Sequence, residues 1–208
     1  MLRADATASE IETLCAEARQ FRFHCVCVNG SRVELAYALL EETGVKVTTT
    51  VGFPLGAADS DAKRYETELA TDKGAHEIDL VMNIGLFKDG EHTSVLRELR
   101  DIVEAADERP VKVIIETCLL SREQKITACK LVLDSGARFV KTSTGFNGAG
   151  ATVEDVRLLR ETVGERFGVK AAGGIRDAQT ARALLEAGAN RIGTSAGVAI
   201  VRGLDMPG

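Results

Sequence analysis

The chain has 208 residues, 45% of them hydrophobic and 27% charged, with 26 basic and 31 acidic residues and a formal net charge of −5. That length suits a single domain over residues 1–208 with a sizeable core, and the mildly acidic balance argues against nucleic acid as a general partner. No long uncharged apolar run marks a membrane span, and Met1-Leu2-Arg3-Ala4-Asp5 lacks a signal-peptide layout.

The predicted elements alternate in type along the chain. Residues 8–20 form a helical pattern, followed by a strand-like run from Phe21 to Val28 and another from Val45 to Val51. Runs from Glu77 to Ile84 and from Val111 to Thr117 come next, and Ser121 with Glu123 starts a helix. After a run from Arg138 to Thr142, Thr152 stands as N-cap of an amphipathic stretch with Glu154 and Asp155 in its first turn. A run from Gly168 to Ala171 precedes Asp177, which caps a helix over Ala178 to Ala187 stopped by Gly188. Arg191 to Gly193 is the seventh run. Most runs are dense in Val and Ile, as expected of parallel strands covered on both faces.

Strands alternating with helices suit a doubly wound sheet or a (β/α)8 TIM barrel. Two features favour the barrel. No glycine-rich dinucleotide fingerprint follows an early strand, and polar residues recur at the C-terminal ends of many strands, which a barrel gathers around one mouth. Those residues include Asn29, Asn83, Glu116, Lys141 to Thr144, Lys170 to Gly174 and Gly193 to Ser195.

Lys141 lies inside a strand pattern, where an ammonium is costly unless paired or shifted in pKa. A lowered pKa would expose the amine that attacks carbonyls; a solvent-reaching or ion-paired lysine is the plainer alternative. Lys170 occurs one strand–helix unit later. A neighbouring cation would help to deprotonate Lys141, provided the two side chains share a face, which the spacing leaves open. Asp79 sits in the apolar Glu77-to-Asn83 segment and could pair with Lys170 and relay protons, or form a structural ion pair. Lys112 and Glu116 allow the same two readings, with the structural one favoured.

Thr144-Gly145, Gly173-Gly174 and Gly193-Thr194-Ser195 end the last three strands. Such turns expose backbone N–H groups to an anion, though ordinary strand–helix turns also use Gly and Ser. Cys25 and Cys27 share a strand face and His24 the other, with no distant ligands to complete a metal site. These thiols read as core, as do Cys15 and Cys129. His76 and His92 stand alone. Five scattered cysteines without a CxxC pair suggest free thiols in a reducing cytoplasm. The absence of Trp argues against a base-stacking or carbohydrate platform.

Taken together, these segments resemble deoxyribose-phosphate aldolase over nearly the whole length. The match runs through Val26-Cys27-Val28-Asn29, Val51 to Gly56, Glu77 to Gly85, Val113 to Thr117, Phe139 to Phe146, Val169 to Arg176, and Arg191 to Ser195. The resemblance implies a (β/α)8 barrel that reversibly cleaves 2-deoxy-D-ribose 5-phosphate to D-glyceraldehyde 3-phosphate and acetaldehyde. It implies Lys141 as the Schiff-base lysine, Lys170 as the residue that tunes it, and Asp79 as the acid of proton transfer. It further implies phosphate binding at Gly145, Gly173, Gly174 and Ser195, and an aldehyde site lined by Cys27 and Thr144. No metal or organic cofactor is implied, the partners being a phosphosugar and aldehydes, with a homodimer or higher homo-oligomer left open. The family usually begins with a strand containing Asp-His-Thr, whereas Met1-Leu2-Arg3 falls on the last part of the following stretch. The expectation is therefore a barrel with its first strand largely missing, through a start site placed too late, a shortened barrel or an edge covered by a partner. A catalytically weak phosphosugar-binding barrel is the alternative function.

Overall fold

A computed structural model describes residues 1–204. Seven parallel strands, β1 (Cys25–Val28), β2 (Lys46–Val51), β3 (Glu77–Val81), β4 (Val111–Ile114), β5 (Phe139–Lys141), β6 (Gly168–Ala172) and β7 (Arg191–Gly193), pair in sequence order. The helices between and around them are α1 (Ala8–Gln20), α2 (Val33–Leu40), α3 (Ser60–Asp72), α4 (Ile84–Lys88), α5 (His92–Ala105), α6 (Arg122–Asp134), α7 (Val153–Val163), α8 (Ala178–Glu186) and α9 (Gly197–Leu204). Residues 1–7 contribute no strand, and β1 and β7 are the sheet's edges.

The sheet curls. Lys170 on β6 reaches Asp79 on β3, and Arg191 on β7 reaches Glu77 on β3. In a flat sheet β3 and β6 would lie about 14 Å apart, so these contacts require the wall to close on itself as a barrel wall does. Alternation along each strand sorts the side chains. Val26, Val47, Ile78, Leu80, Val113, Val140 and Val169 join the main apolar core. Asp79, Lys112, Lys141 and Lys170 occupy the alternate positions and meet one another inside the curl.

Local signals fix the helix starts. Thr7 and Glu10 form a capping box on α1, and Ser121 and Gln124 form one on α6. Thr152 and Asp177 accept the expected N–H bonds at α7 and α8. Several strands are shorter than the apolar runs suggest, each for a local reason. The first begins at Cys25 because α1 continues to Gln20 and Arg22 turns at φ +52°. The third stops at Val81 because Asn83 caps α4, accepting from Leu86 N–H at 3.1 Å. The fourth stops at Ile114 because Glu116 adopts φ +50°.

Candidate active site

Strand register brings the lysines together. Lys141 and Lys170 are Cα partners across β5 and β6, as are Asp79 and Lys112 across β3 and β4. Lys141 Nζ lies 2.7 Å and Lys170 Nζ 2.6 Å from the same Oδ2 of Asp79, while Lys112 Nζ lies 2.9 Å from Oδ1. All four residues are buried, Asp79 and Lys112 completely. The open question of whether Lys141 and Lys170 share a face is thus answered: they compete for one oxygen.

The competition sets the direction of each shift. Burial pulls the Lys141 ammonium down; Asp79 pulls it up, Lys170 pushes it down again, and the net direction is below the ordinary lysine value. Lys170 is also disfavoured by burial, but the Asp79 charge outweighs this and holds it above its usual value. Asp79 would be raised by burial; the charges of Lys112, Lys141 and Lys170 instead hold it well below the carboxylate range. The shared carboxylate thus raises Lys170 but is outweighed at Lys141, whose amine gives up its proton more readily than an ordinary lysine, the direction a carbonyl-attacking lysine needs.

A second layer supports the first. Glu77 contacts Lys112 at 2.7 Å, His24 at 3.1 Å and Arg191 at 3.3 Å, and Arg191 stacks over Phe139. Burial opposes ionisation of Glu77, but Lys112 brings its pKa down to about 2. His24 therefore does not simply point away from the strand's inner face; preceding β1, it swings its ring to Glu77. Lys112 is the residue the sequence reading undervalued: it pairs as expected, but it links Glu77 to Asp79 within the site. Its position as one polar residue between Val111 and Val113, in register with Asp79, was the available signal.

Cys27 also faces this cluster. Burial, then the charge of Asp79, push its thiol up, which keeps the sulfur protonated. Gly193 serves Lys170 directly: a Cβ there would meet Lys170 Cε at 3.1 Å and Ala172 Cβ at 3.0 Å. Among the described residues no group of three His, Cys, Asp or Glu is arranged to hold a metal.

The glycine-rich turns converge beyond β5, β6 and β7. Gly145, Gly173 and Gly174 have φ of +85°, +87° and +77°. A Cβ on Gly173 would lie 2.9 Å from Gly150 Cα and 3.3 Å from Gly145 Cα, so the β5 and β6 loops meet backbone to backbone. Gly150, which the motifs did not single out, is therefore part of this contact. Thr194 Oγ1 donates to Ile175 O at 2.7 Å, tying the loop of exposed Ser195 to that of Gly174. Thr144 lies at the mouth, but its hydroxyl donates to Glu116.

A family model described as DeoC/LacD family aldolase matches residues 1–203. The chain belongs to that family. A deoxyribose-phosphate aldolase of Alkaliphilus oremlandii (strain OhILAs) is 54% identical over 202 residues, covering 97% of this chain and 91% of that protein. One of Geobacillus sp. (strain WCH70) is 53% identical over 204 residues, covering 98% and 92%. The solved structure of a putative deoxyribose-phosphate aldolase from Coccidioides immitis matches with a TM-score of 0.96 at 40% identity, covering 99% of this chain and 83% of that one. The deoxyribose phosphate aldolase from Aeropyrum pernix, described as a unique tetrameric structure, matches at 0.92 and 32% identity, covering 98% and 87%. The curled wall of this DeoC/LacD aldolase is accordingly of the (β/α)8 class, with seven strands in the described residues.

The backbone contact at Gly173 makes a prediction. Gly173→Ala places a Cβ against Gly150 backbone at a φ that L-residues avoid. The expected cost is about 1–3 kcal/mol of stability, read by urea unfolding, with a raised KM for phosphorylated substrate. A variant as stable as the parent with unchanged KM would show that the two loops do not depend on this approach.

Proposed function

We propose that the chain is a class I aldolase cleaving 2-deoxy-D-ribose 5-phosphate reversibly to D-glyceraldehyde 3-phosphate and acetaldehyde, with Lys141 as the Schiff-base residue. The observation that carries the reading is the Asp79 oxygen shared by Lys141 and Lys170, whose pKa values move in opposite directions, Lys141 down and Lys170 up. Neutral Lys141 Nζ attacks the C1 aldehyde, and loss of water gives an iminium. Removal of the C3 hydroxyl proton breaks the C2–C3 bond, whose electron pair flows into the iminium to form an enamine and release glyceraldehyde 3-phosphate. Protonation at C2 and hydrolysis return Lys141 and acetaldehyde. Lys170 and Asp79, with water, move these protons, and ionised Asp79 stabilises the positive charge that develops 2.7 Å away at Lys141.

Gly145, Gly173, Gly174 and Ser195 hold the phosphate, with Cys27 and Thr144 beside the aldehyde end. The iminium is itself the electron sink, so the mechanism requires no metal or organic cofactor. The binding-only alternative gains nothing from a cluster arranged to deprotonate an amine. No helix of the described residues is long and apolar enough to cross a membrane; that, with cysteines that are free, fits a cytoplasmic, single-domain enzyme over residues 1–208. Homo-oligomerisation is consistent with the tetramer described for the Aeropyrum pernix relative.

The direct test follows acetaldehyde release from 2-deoxyribose 5-phosphate by a coupled alcohol dehydrogenase; no aldehyde from folded protein would overturn the assignment. Lys170→Met supplies a mechanistic check. Removing the neighbouring cation leaves Asp79 freer to hold a proton on Lys141, so Lys141 should titrate higher. Borohydride trapping with acetaldehyde should then show its pH midpoint raised by about one unit or more. An unmoved or lowered midpoint would separate Lys170 from Lys141 activation.

A further inference from the structure

Glu116 is buried, yet among the described residues it makes no salt bridge. Its backbone is left-handed, with φ +50° and ψ +70°, a conformation unfavourable for a non-glycine residue that tends to occur where function over-determines the backbone. The surrounding ladder shows how it arises. Ile115 N–H donates to Lys141 O at 3.1 Å and Thr117 N–H to Thr142 O at 2.9 Å. Two residues advance on this side for one on β5, so an extra residue is accommodated as in a bulge, a device that re-aims side chains beside active sites.

The re-aimed carboxylate takes hold of one loop. It accepts from Thr144 N–H at 3.2 and 3.3 Å, from the Thr144 hydroxyl, and from Asn147 Nδ2 at 2.9 Å. Because the Thr144 hydroxyl donates to Glu116, its oxygen is free to accept from Phe146 N–H at 3.1 Å. The amides on either side of Gly145 are thus engaged. Gly145 N–H has no partner among the described residues, and its loop packs on Gly173.

We propose that Glu116 is a positioning residue for the phosphate end of the substrate: by tying Thr144, Phe146 and Asn147 it leaves Gly145 N–H as the amide presented to the anion. This rests on the assignment of the Gly145 turn to phosphate. A carboxylate suits the task because every group facing it is a donor. Glutamine in its place would turn an NH2 group toward one of those donors and loosen the loop without emptying the site.

The test compares parent and Glu116→Gln on 2-deoxyribose 5-phosphate and on unphosphorylated 2-deoxyribose, with inorganic phosphate as inhibitor. The expected result is a KM for the phosphorylated sugar and an inhibition constant for phosphate each raised ~10-fold, with kcat within ~3-fold. The preference for the phosphorylated sugar falls by a similar factor. Asn147→Ala, at a half-buried position, should move the same constants in the same direction by ~3-fold, and it decides the matter should Glu116→Gln fail to fold. Equal losses on both sugars with an unmoved phosphate constant would overturn the proposal. A parent enzyme indifferent both to the phosphate group and to inorganic phosphate would instead overturn the phosphate assignment beneath it.

Discussion

Treatment with borohydride in the presence of acetaldehyde should attach a two-carbon adduct to Lys141 and to no other lysine. Lys112, Lys141 and Lys170 all sit in one buried cluster, so selectivity cannot come from access to a remote pocket. It comes from protonation: Lys141 is pushed below the usual lysine value while Lys170 is held above it by the carboxylate they share. Peptide mass mapping of the reduced adduct decides the site, and an adduct on Lys170 or Lys112 would refute the assignment. Lys141→Met should lose cleavage by at least ~10⁴-fold, to the background rate. The same variant should keep its fold within about 1 kcal/mol, because Asp79 retains Lys112 and Lys170 and the lysine removed is one whose charge burial and Lys170 already disfavour. An unfolded Lys141→Met would mean that the lysine is chiefly structural; a folded variant with normal turnover would rule out the covalent route.

The sequence made Lys141, Lys170 and Asp79 legible because each is a charge inside an apolar strand run, and such residues are rarely idle. Period-two alternation and parallel pairing placed the strand order within reach as well. The sharing of Asp79 Oδ2 was not legible, since it depends on register and on how tightly the wall curls, and neither is written in a single strand. Lys112 was visible as a buried charge, but its link between Glu77 and Asp79 requires two strands in alignment. Glu116 was obscured for a different reason. Its part depends on φ +50° and on a shift of one residue between β4 and β5, and Ile115-Glu116-Thr117 reads as ordinary strand. Gly150 was hidden likewise, because only the fold brings it against Gly173.

Asp79→Asn should be the most damaging single change in the molecule. The carboxylate meets Lys112, Lys141 and Lys170 within 2.9 Å and is completely buried. An amide of the same shape offers one oxygen and no charge, leaving Lys112, Lys141 and Lys170 with Glu77 as the nearest anion. Removing one partner from a buried ion pair costs about 3–5 kcal/mol, and the dependence of three lysines on Asp79 places this site at the upper end. The pH dependence has a definite sign. Asp79 is held well below its unfolded value near 3.9, so its contribution is complete above that pH and disappears as pH falls through its folded value. The gap between parent and Asp79→Asn, measured by urea unfolding, should therefore be large at pH 7 and narrow on acidification, as the parent's carboxylate is protonated too. Glu77, whose folded value is about 2, is lost over the same acid range in both proteins. Adding Lys170→Met to Asp79→Asn should restore part of the stability at pH 7 by removing one unpaired cation, a coupling that a double-mutant cycle reads directly. A loss below about 1 kcal/mol for Asp79→Asn, or a double variant no more stable than the single one, would mean that the lysines are neutral without Asp79 and that this carboxylate does not set the charge of the site.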